Sequence, residues 1–317
     1  MGRYHTCHAK SGEVVELDLS SSCFHGKLSS KSSLFKLQRL RVLNLAYNDL
    51  VSSEIPSQLG TLKELTLLNL SNTLSSGTVP TELLHLTKLV SLDLSSNSLS
   101  AQKSFLNNLS QNLTNLEELN LGLVDISSEI PPNISKLSSL KSLSLDECTL
   151  PPNISALCNL ETFEASENIF TGTLPSTLFN TPSLTYIDLK DNQLNAILEF
   201  GNISSPSKLE RLSLGNNHFK GSLPISILSL VNLYSLDLSY YNTGMSVDFG
   251  FFLSQLKGVI DMDISYKNTT NIVDLSTIFL HLKSLSSLQL SGVHVSTAKM
   301  GLVSNLPTNL GTLHLSG

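Results

Sequence analysis

The sequence carries acidic side chains that share one position of a repeating pattern, with tyrosines in the same part of the chain, and these side chains could bind a ligand. Glu164, Asp188, Asp237 and Asp263 share one phase of a repeating pattern. Tyrosine combines apolar area with a polar tip, so tyrosines amid carboxylates suit a basic or polar peptide. The full candidate surface comprises Asp146, Glu147, Glu161, Glu164, Glu167, Tyr186, Asp188, Asp191, Tyr234, Asp237, Tyr240, Asp263 and Tyr266. The alternative interpretation is that these side chains face the solvent and bind no ligand.

Signals for catalysis or metal binding are missing from the sequence. There is no glycine-rich phosphate loop, no Gly-x-Ser-x-Gly motif and no His-Glu-x-x-His motif. His5, Cys7 and His8 crowd into a short terminal segment, which does not make a zinc site. We therefore expect no enzyme activity, no cofactor and no metal ion. A Ser/His/Asp arrangement is recognised by geometry, and nothing in the sequence raises it above background.

The composition restricts the class of partner. Of the 317 residues only 15% are charged, and the formal net charge is −6. Because phosphate binding needs clustered Lys and Arg, we expect no nucleic-acid partner. No apolar run is long enough to span a membrane, and the first residues lack the apolar region of a signal peptide.

The candidate residues are positioned by a repeat that runs through the whole sequence. The pattern L-x-x-L-x-L has 13 starts between positions 14 and 310, so 296 residues over 12 intervals give about 25 residues per repeat. Leucine-rich repeats span roughly 20–29 residues. Side chains alternate along a strand, so the leucines point to one face and the intervening residues to the other. We predict an α/β repeat solenoid: a leucine-rich repeat horseshoe or superhelix with a parallel β-sheet on the concave face and short helical or 3₁₀ turns on the convex side.

An asparagine follows the last strand leucine by three residues in many repeats. A buried amide at this point can bond the backbone groups that a tight turn leaves unpaired. The predicted ladder consists of Asn48, Asn97, Asn168, Asn192 and Asn217, and it is interrupted by Thr73, Val124, Cys148, Tyr241, Lys267 and Val293. Because several interruptions follow residue 240, we expect the least regular geometry there.

Several asparagines lie in N-x-[ST] sequons and are candidates for glycosylation if the protein is secreted. They are Asn108, Asn112, Asn133, Asn153, Asn202 and Asn268. Asn69 lies in a predicted strand, and we expect it to stay unmodified. Pairing of Cys7 with Cys23 is left open, whereas Cys148 and Cys158 are expected to be buried free thiols.

The repeat, extended to L-x-x-L-x-L-x-x-N-x-L-x-G-x-[ILV]-P, is similar to the plant extracellular leucine-rich repeat over nearly the whole chain. Residues 7–20, with Cys23-Phe-His-Gly26 and Ser32-Ser-Leu-Phe-Lys-Leu37, resemble the junction of the amino-terminal cap and first repeat in plant receptor-like proteins. The resemblance implies a cap remnant over 1–13 and a repeat domain over 14–317, with about 13 repeats of which the last is incomplete. It also implies an internal fragment or a truncated gene model.

The same resemblance implies a function. We expect a non-enzymatic ligand-recognition ectodomain of a plant cell-surface receptor-like protein, acting in defence or developmental signalling. The implied partners are a peptide or protein ligand and a partner receptor kinase, and the implied location is the extracellular face of the plasma membrane. The alternatives are a secreted enzyme inhibitor resembling polygalacturonase-inhibiting proteins and the ectodomain of a leucine-rich repeat receptor kinase.

Overall fold

A computed structural model of the chain describes most of its residues. The described ranges are 4–7, 12–51, 53–126, 130–145, 154–195, 197–201, 207–221, 223–242, 256–265, 273–292, 295–296 and 306–315. The chain divides into two compact units, here called unit 1 (residues 1–160) and unit 2 (residues 161–317). Each unit is described by itself.

Among its described residues, unit 1 contains a main sheet of seven strands and a small lateral sheet of two strands. The strands are β1 (Tyr4–Cys7), β2 (Val14–Asp18), β3 (Val42–Asn44), β4 (Leu67–Asn69), β5 (Ser76–Thr78), β6 (Ser91–Asp93), β7 (Ser98–Ser100), β8 (Glu118–Leu121) and β9 (Ser142–Leu145). The main sheet has the order β1-β2-β3-β4-β6-β8-β9, in which β1 is antiparallel to β2 and the other pairs are parallel. The lateral sheet pairs β5 with β7.

Unit 2 repeats this arrangement with another main sheet of seven described strands. The strands are β10 (Thr162–Glu164), β11 (Thr171–Gly172), β12 (Tyr186–Asp188), β13 (Gln193–Leu194), β14 (Arg211–Ser213), β15 (Ser235–Asp237), β16 (Asp261–Asp263), β17 (Val273–Asp274), β18 (Ser287–Gln289), β19 (Val295–Ser296) and β20 (Thr312–His314). The main sheet, β10-β12-β14-β15-β16-β18-β20, is parallel throughout. Two lateral pairs, β11 with β13 and β17 with β19, accompany it.

Short helical segments carry the chain back to the next strand. They are the 3₁₀ turns Ser33–Lys36, Ser57–Thr61, Thr81–His85, Pro132–Lys136, Ile154–Ala156, Ser176–Asn180 and Ile225–Ser229, with the α-helices α1 (Phe105–Asn112) and α2 (Leu275–His281). A proline with extended backbone stands directly before five of the 3₁₀ turns: Pro56, Pro80, Pro131, Pro175 and Pro224. Because its ring fixes φ at a value that both states share, proline suits this extended-to-helical transition.

The repeat leucines form the core between the main sheet and these turns. Leu43, Leu68 and Leu143 on the strands have no exposed surface, and neither do Leu59 and Leu83 on the 3₁₀ turns. Burying a leucine stabilises the fold by roughly 1.5–3 kcal/mol. Each repeat contributes several buried leucines, but they are buried only when a neighbouring repeat covers them.

The predicted fold class is confirmed. The middle apolar residue of each of the 13 leucine patterns lies on a main-sheet strand that has a parallel neighbour, six of them in unit 1 and seven in unit 2. Between the described strands beyond residue 240, where we expected the least regular geometry, the parallel pairing keeps its residue-for-residue register.

Candidate ligand-binding face

The exposed face of the unit 2 sheet carries its side chains in columns, because consecutive strands pair in unbroken register. One column, called the outer column, consists of Thr162, Tyr186, Arg211, Ser235, Asp261, Ser287 and Thr312. The next, called the inner column, consists of Glu164, Asp188, Ser213, Asp237, Asp263, Gln289 and His314. Within a column, successive side chains stand roughly 4.8 Å apart, as parallel strands do.

Three inner-column aspartates have a local structural role that the sequence interpretation missed. One carboxylate oxygen accepts a hydrogen bond from the backbone N–H two residues on: Asp188 from Lys190 at 3.1 Å, Asp237 from Ser239 at 2.8 Å and Asp263 from Ser265 at 2.8 Å. The equivalent unit 1 residues, Asp18, Asn44, Asn69, Asp93 and Asn120, accept the same bond. The shared phase of these aspartates therefore reflects the turn, and one oxygen of each carboxylate is already used.

Lys190 and Asp237 form an ion pair across two strand intervals of unit 2. The Lys190 ammonium lies 3.6 Å from the Asp237 carboxylate, whose side chain is only 18% exposed. Burial raises the pKa of Asp237, and nearby Asp263 raises it further. Burial opposes the charge of Lys190 too, but Asp237, Asp191 and Asp263 outweigh it and raise the pKa of Lys190. Lys190 thus stays protonated and offsets part of this acidic cluster.

Gly215 lies on the repeat between Lys190 and Asp237 and leaves the room that the Asp237 carboxylate occupies. A Cβ at Gly215 would stand 2.4 Å from one Asp237 oxygen and 2.3 Å from the Ser239 hydroxyl. Both distances are far inside van der Waals contact. The absence of a side chain at this position is therefore a requirement of the ion pair.

Tyr186, Asp188 and Arg211 form a second cluster on the same face. The Tyr186 hydroxyl donates to Asp188 at 3.2 Å, and the Arg211 guanidinium carbon lies 4.4 Å from the centre of the Tyr186 ring. Burial, followed by the charge of Asp188, raises the pKa of Tyr186 to about 12, so the hydroxyl stays protonated and donates. A guanidinium over an aromatic face is a cation–π contact.

The other described candidate residues lie on the main-sheet strands of unit 2 or within three residues of them. Glu161, Glu164 and Glu167 are exposed, as is Tyr240, whereas Tyr234 and Asp191 are half-buried. The Asn216 amide donates to Asp191. Asp146, Glu147 and Tyr266 lie outside the described residues. The structure thus places ten of the 13 sequence-derived candidates on the main-sheet strands of unit 2 or within three residues of them.

The ladder asparagines are buried, and the amides of Asn48, Asn97, Asn192 and Asn217 bond across repeats. In unit 1 the Asn97 oxygen accepts from the Thr73 and Ser75 N–H groups, each at 3.0 Å, and its nitrogen donates to the Leu70 and Leu94 carbonyls. The other members are Asn48, Asn168, Asn192 and Asn217. Thr73 replaces the amide with a hydroxyl that donates to the Leu70 carbonyl at 2.9 Å.

A second set of asparagines was missed in the sequence. The Asn115, Asn159 and Asn232 amides each donate to a carbonyl of the preceding repeat, at 2.9, 2.8 and 2.7 Å. Each of the three stands directly before the first leucine of its repeat, in Thr-Asn-Leu, Cys-Asn-Leu or Val-Asn-Leu. This recurrence was the signal available.

The sequons differ in their surroundings. Asn112, at the end of α1, is exposed, whereas Asn108 is half-buried. Asn133 is half-buried and its amide donates to the Asn107 side chain at 2.9 Å. Asn153, Asn202 and Asn268 lie outside the described residues.

The prediction that Cys158 is buried was wrong. Its neighbours Leu157 and Leu160 fill the core with no exposed surface, while Cys158 lies in the turn between them and is an exposed free thiol. Cys23 is also an exposed free thiol in the structure. Cys148 lies outside the described residues.

The described residues contain no cluster of His, Cys, Asp and Glu arranged to hold a metal ion. Among the helices of the described ranges, none is long and apolar enough to cross a membrane.

Comparison with known proteins identifies the repeat. The family model described as "Leucine-rich repeat region" matches residues 14–239. The chain belongs to the leucine-rich repeat family. This leucine-rich repeat chain is also 50% identical over 152 residues to "Receptor-like protein 6" of Arabidopsis thaliana, which covers 46% of the chain and 15% of that protein. The resemblance to plant receptor-like proteins is thus confirmed, and the chain spans only a small part of the relative's length.

Solved structures of leucine-rich repeat proteins share the fold. The crystal structure of a TDR receptor superposes with a TM-score of 0.73 at 28% identity, covering 87% of this chain and 47% of that one. The Arabidopsis receptor kinase HAESA, crystallised with the peptide hormone IDA and the co-receptor SERK1, gives a TM-score of 0.63 at 24% identity, covering 90% of this chain and 67% of that one.

Proposed function

We propose that the exposed sheet face of unit 2 binds a peptide or protein ligand. One observation carries the proposal: this face presents acidic and tyrosine side chains that the leucine core does not need. Glu161 and Glu164 are exposed, and Tyr186 and Tyr234 are half-buried beside them. Such a surface offers aromatic contact area together with charge.

The charge of the face favours a basic or polar peptide. Its outer and inner columns hold Glu164, Asp188, Asp237, Asp261 and Asp263. Of these, Asp237 is paired with Lys190. The remaining carboxylates create a negative field, and complementary charge speeds encounter and selects partners.

The relatives support placing this face in a receptor. A stretch of 152 residues of the chain is similar to a plant receptor-like protein. HAESA, a fold neighbour, was crystallised with a peptide hormone and a co-receptor. We therefore propose that the chain is the recognition part of a non-enzymatic plant cell-surface receptor-like protein. It would act outside the cell, together with a partner receptor kinase, in defence or developmental signalling.

The test uses the full chain and a random twelve-residue peptide library presented by mRNA display. Peptides selected on the wild-type chain are then measured against the double variant Glu161→Lys with Glu164→Lys. The matched control is Glu54→Lys with Glu199→Lys, which makes the same change in net charge at exposed residues away from the main-sheet strands.

We expect Lys- and Arg-rich peptides to be selected. The face variant should weaken their binding about tenfold or more, and the control should leave it within about twofold, because charge acts mainly at contact range in salt. Equal loss in both variants, or no selected peptide at all, would overturn the proposal.

A further inference from the structure

Arg211 differs from Lys190, another cation of the unit 2 sheet face. Lys190 is engaged 3.6 Å from Asp237. Around Arg211, by contrast, no carboxylate oxygen of the described residues lies within 4.0 Å of the guanidinium. Arg211 is also exposed. A positive group therefore stands without an ionic partner inside an acidic surface.

The Arg211 side chain is also held in place. Its guanidinium carbon lies 4.4 Å from the Tyr186 ring centre, and the Tyr186 hydroxyl is tied to Asp188. A cation–π contact uses the guanidinium charge and leaves its N–H edges available to an acceptor. Those edges match the two oxygens of a carboxylate, and a group already ordered loses less entropy on binding.

The position of Asp261 sets a second point of contact. Arg211, Ser235 and Asp261 are register partners on three consecutive strands. Two strand intervals separate Arg211 from Asp261 by about 10 Å, since parallel strands lie roughly 4.8 Å apart. An extended peptide rises roughly 3.3 Å per residue, so about three residues span that gap. Asp261 accepts the Ser286 hydroxyl on one oxygen at 3.0 Å, and its carboxylate is half-buried.

We propose, on the basis of the proposed function, that Arg211 binds a carboxylate of the peptide ligand. A lysine or arginine about three residues away lies opposite Asp261. The ligand is therefore dipolar along the stack of strands, and Arg211 fixes which end of the peptide points which way. A uniformly basic peptide leaves this anchor unused.

The display selection described above also tests this assignment, with the wild-type chain and the variants Arg211→Gln and Lys208→Gln. Lys208 is exposed, stands just before the same strand, and loses the same charge. Selected peptides are remade as free acids and as carboxamides, which separates a terminal from a side-chain carboxylate. Circular dichroism melts confirm that each variant is folded.

We expect peptides selected on the wild-type chain to carry an acidic group spaced about three residues from Lys or Arg. The Arg211→Gln variant should weaken their binding about tenfold or more, as loss of a charge-assisted hydrogen bond does, and should select peptides without the acid. Lys208→Gln should behave as wild type. Arg211→Lys should restore binding only in part, because it keeps the charge but not the planar fork.

Two results contradict the proposal in distinguishable ways. Peptides that are basic without any acidic preference, and bind Arg211→Gln as well as wild type, overturn the Arg211 assignment but sustain the proposed function. Failure to select any peptide on the wild-type chain removes both.

Discussion

The ammonium of Lys190 lies 3.6 Å from the Asp237 carboxylate, although two strand intervals separate the residues. A lysine side chain is long enough to cross the intervening repeat, where Gly215 has no side chain to interfere. The contact therefore depends on three repeats at once. A single methyl group added at Gly215 would therefore disturb the electrostatics of the unit 2 face.

Replacing Gly215 with alanine tests this dependence. The added Cβ would stand 2.4 Å from Asp237, so the carboxylate and Ser239 must shift. We expect a loss of about 2 kcal/mol in the free energy of unfolding, the usual cost of overpacking, measured by urea denaturation. Gly258→Ala is the control, since its Cβ would meet only the Leu233 carbonyl at 3.4 Å. Equal stability of both variants would show that Asp237 relaxes freely.

The raised pKa of Asp237 predicts how stability depends on pH. Burial favours the protonated carboxyl in the folded chain. The stability that protonated Asp237 contributes is therefore fully present below its ordinary pKa of 3.8, and it is lost as the pH rises through the higher pKa of the folded chain. Asp237→Asn keeps the acceptor for the Ser239 N–H and removes the ionisation. We expect the variant to gain stability relative to wild type as the pH rises from 3 to 7, measured by urea unfolding at each pH. The opposite trend would mean that Lys190 more than compensates for burial.

The ladder amides predict a large effect from one side chain. Asn97→Ala leaves the Thr73 and Ser75 N–H groups without the oxygen they both donate to. Each buried unsatisfied group costs about 1–3 kcal/mol, so we expect unfolding to become easier by at least about 2 kcal/mol, measured by urea denaturation. Asn112→Ala, at an exposed residue whose amide donates to the Asn108 carbonyl of its own helix, should stay within about 0.5 kcal/mol of wild type. Similar losses in both variants would argue against the ladder.

The sequons predict a ranking of glycan occupancy in a secretory expression host. Asn112 is exposed, whereas the Asn133 amide is half-buried and already donates to Asn107. A glycan is bulky and needs solvent around the amide nitrogen. We expect peptide mass spectrometry to find Asn112 more fully occupied than Asn133. The Asn107→Ala variant, which removes the acceptor, should narrow the difference in occupancy. Higher occupancy of Asn133 than of Asn112 in the wild-type chain would contradict the prediction.

The repeat was predictable because it is a property of spacing. Thirteen phased leucine patterns require a parallel sheet, and every one of them lies on such a strand. Local hydrogen bonds were harder to predict from composition. Asp188 and Asp263 looked like ligand contacts because their phase recurs, yet Asn44 and Asn69 at the same phase also accept an N–H bond in the turn. The mixture of Asp and Asn at one phase was the clue to this shared acceptor role.

The candidate site was predictable only in outline. The sequence gives the face on which a residue lies, since alternation along a strand is periodic. It does not give contacts between repeats that depend on side-chain length, so the reach of Lys190 to Asp237 and the stacking of Arg211 on Tyr186 appeared only in the structure. The exposure of Cys158 likewise depends on the orientation of the turn between two buried leucines, which the sequence pattern does not specify.

The unbroken register of the main-sheet strands has a consequence for how such a gene changes. Recombination that inserts or deletes one whole repeat moves every later side chain along its column by one strand spacing, roughly 4.8 Å, and rotates none of them off the face. The distance between two residues such as Arg211 and Asp261 would therefore increase or decrease in steps of one strand spacing. Unequal crossing-over would thus change the length of peptide that fits the face, while the side chains that form the face stay the same.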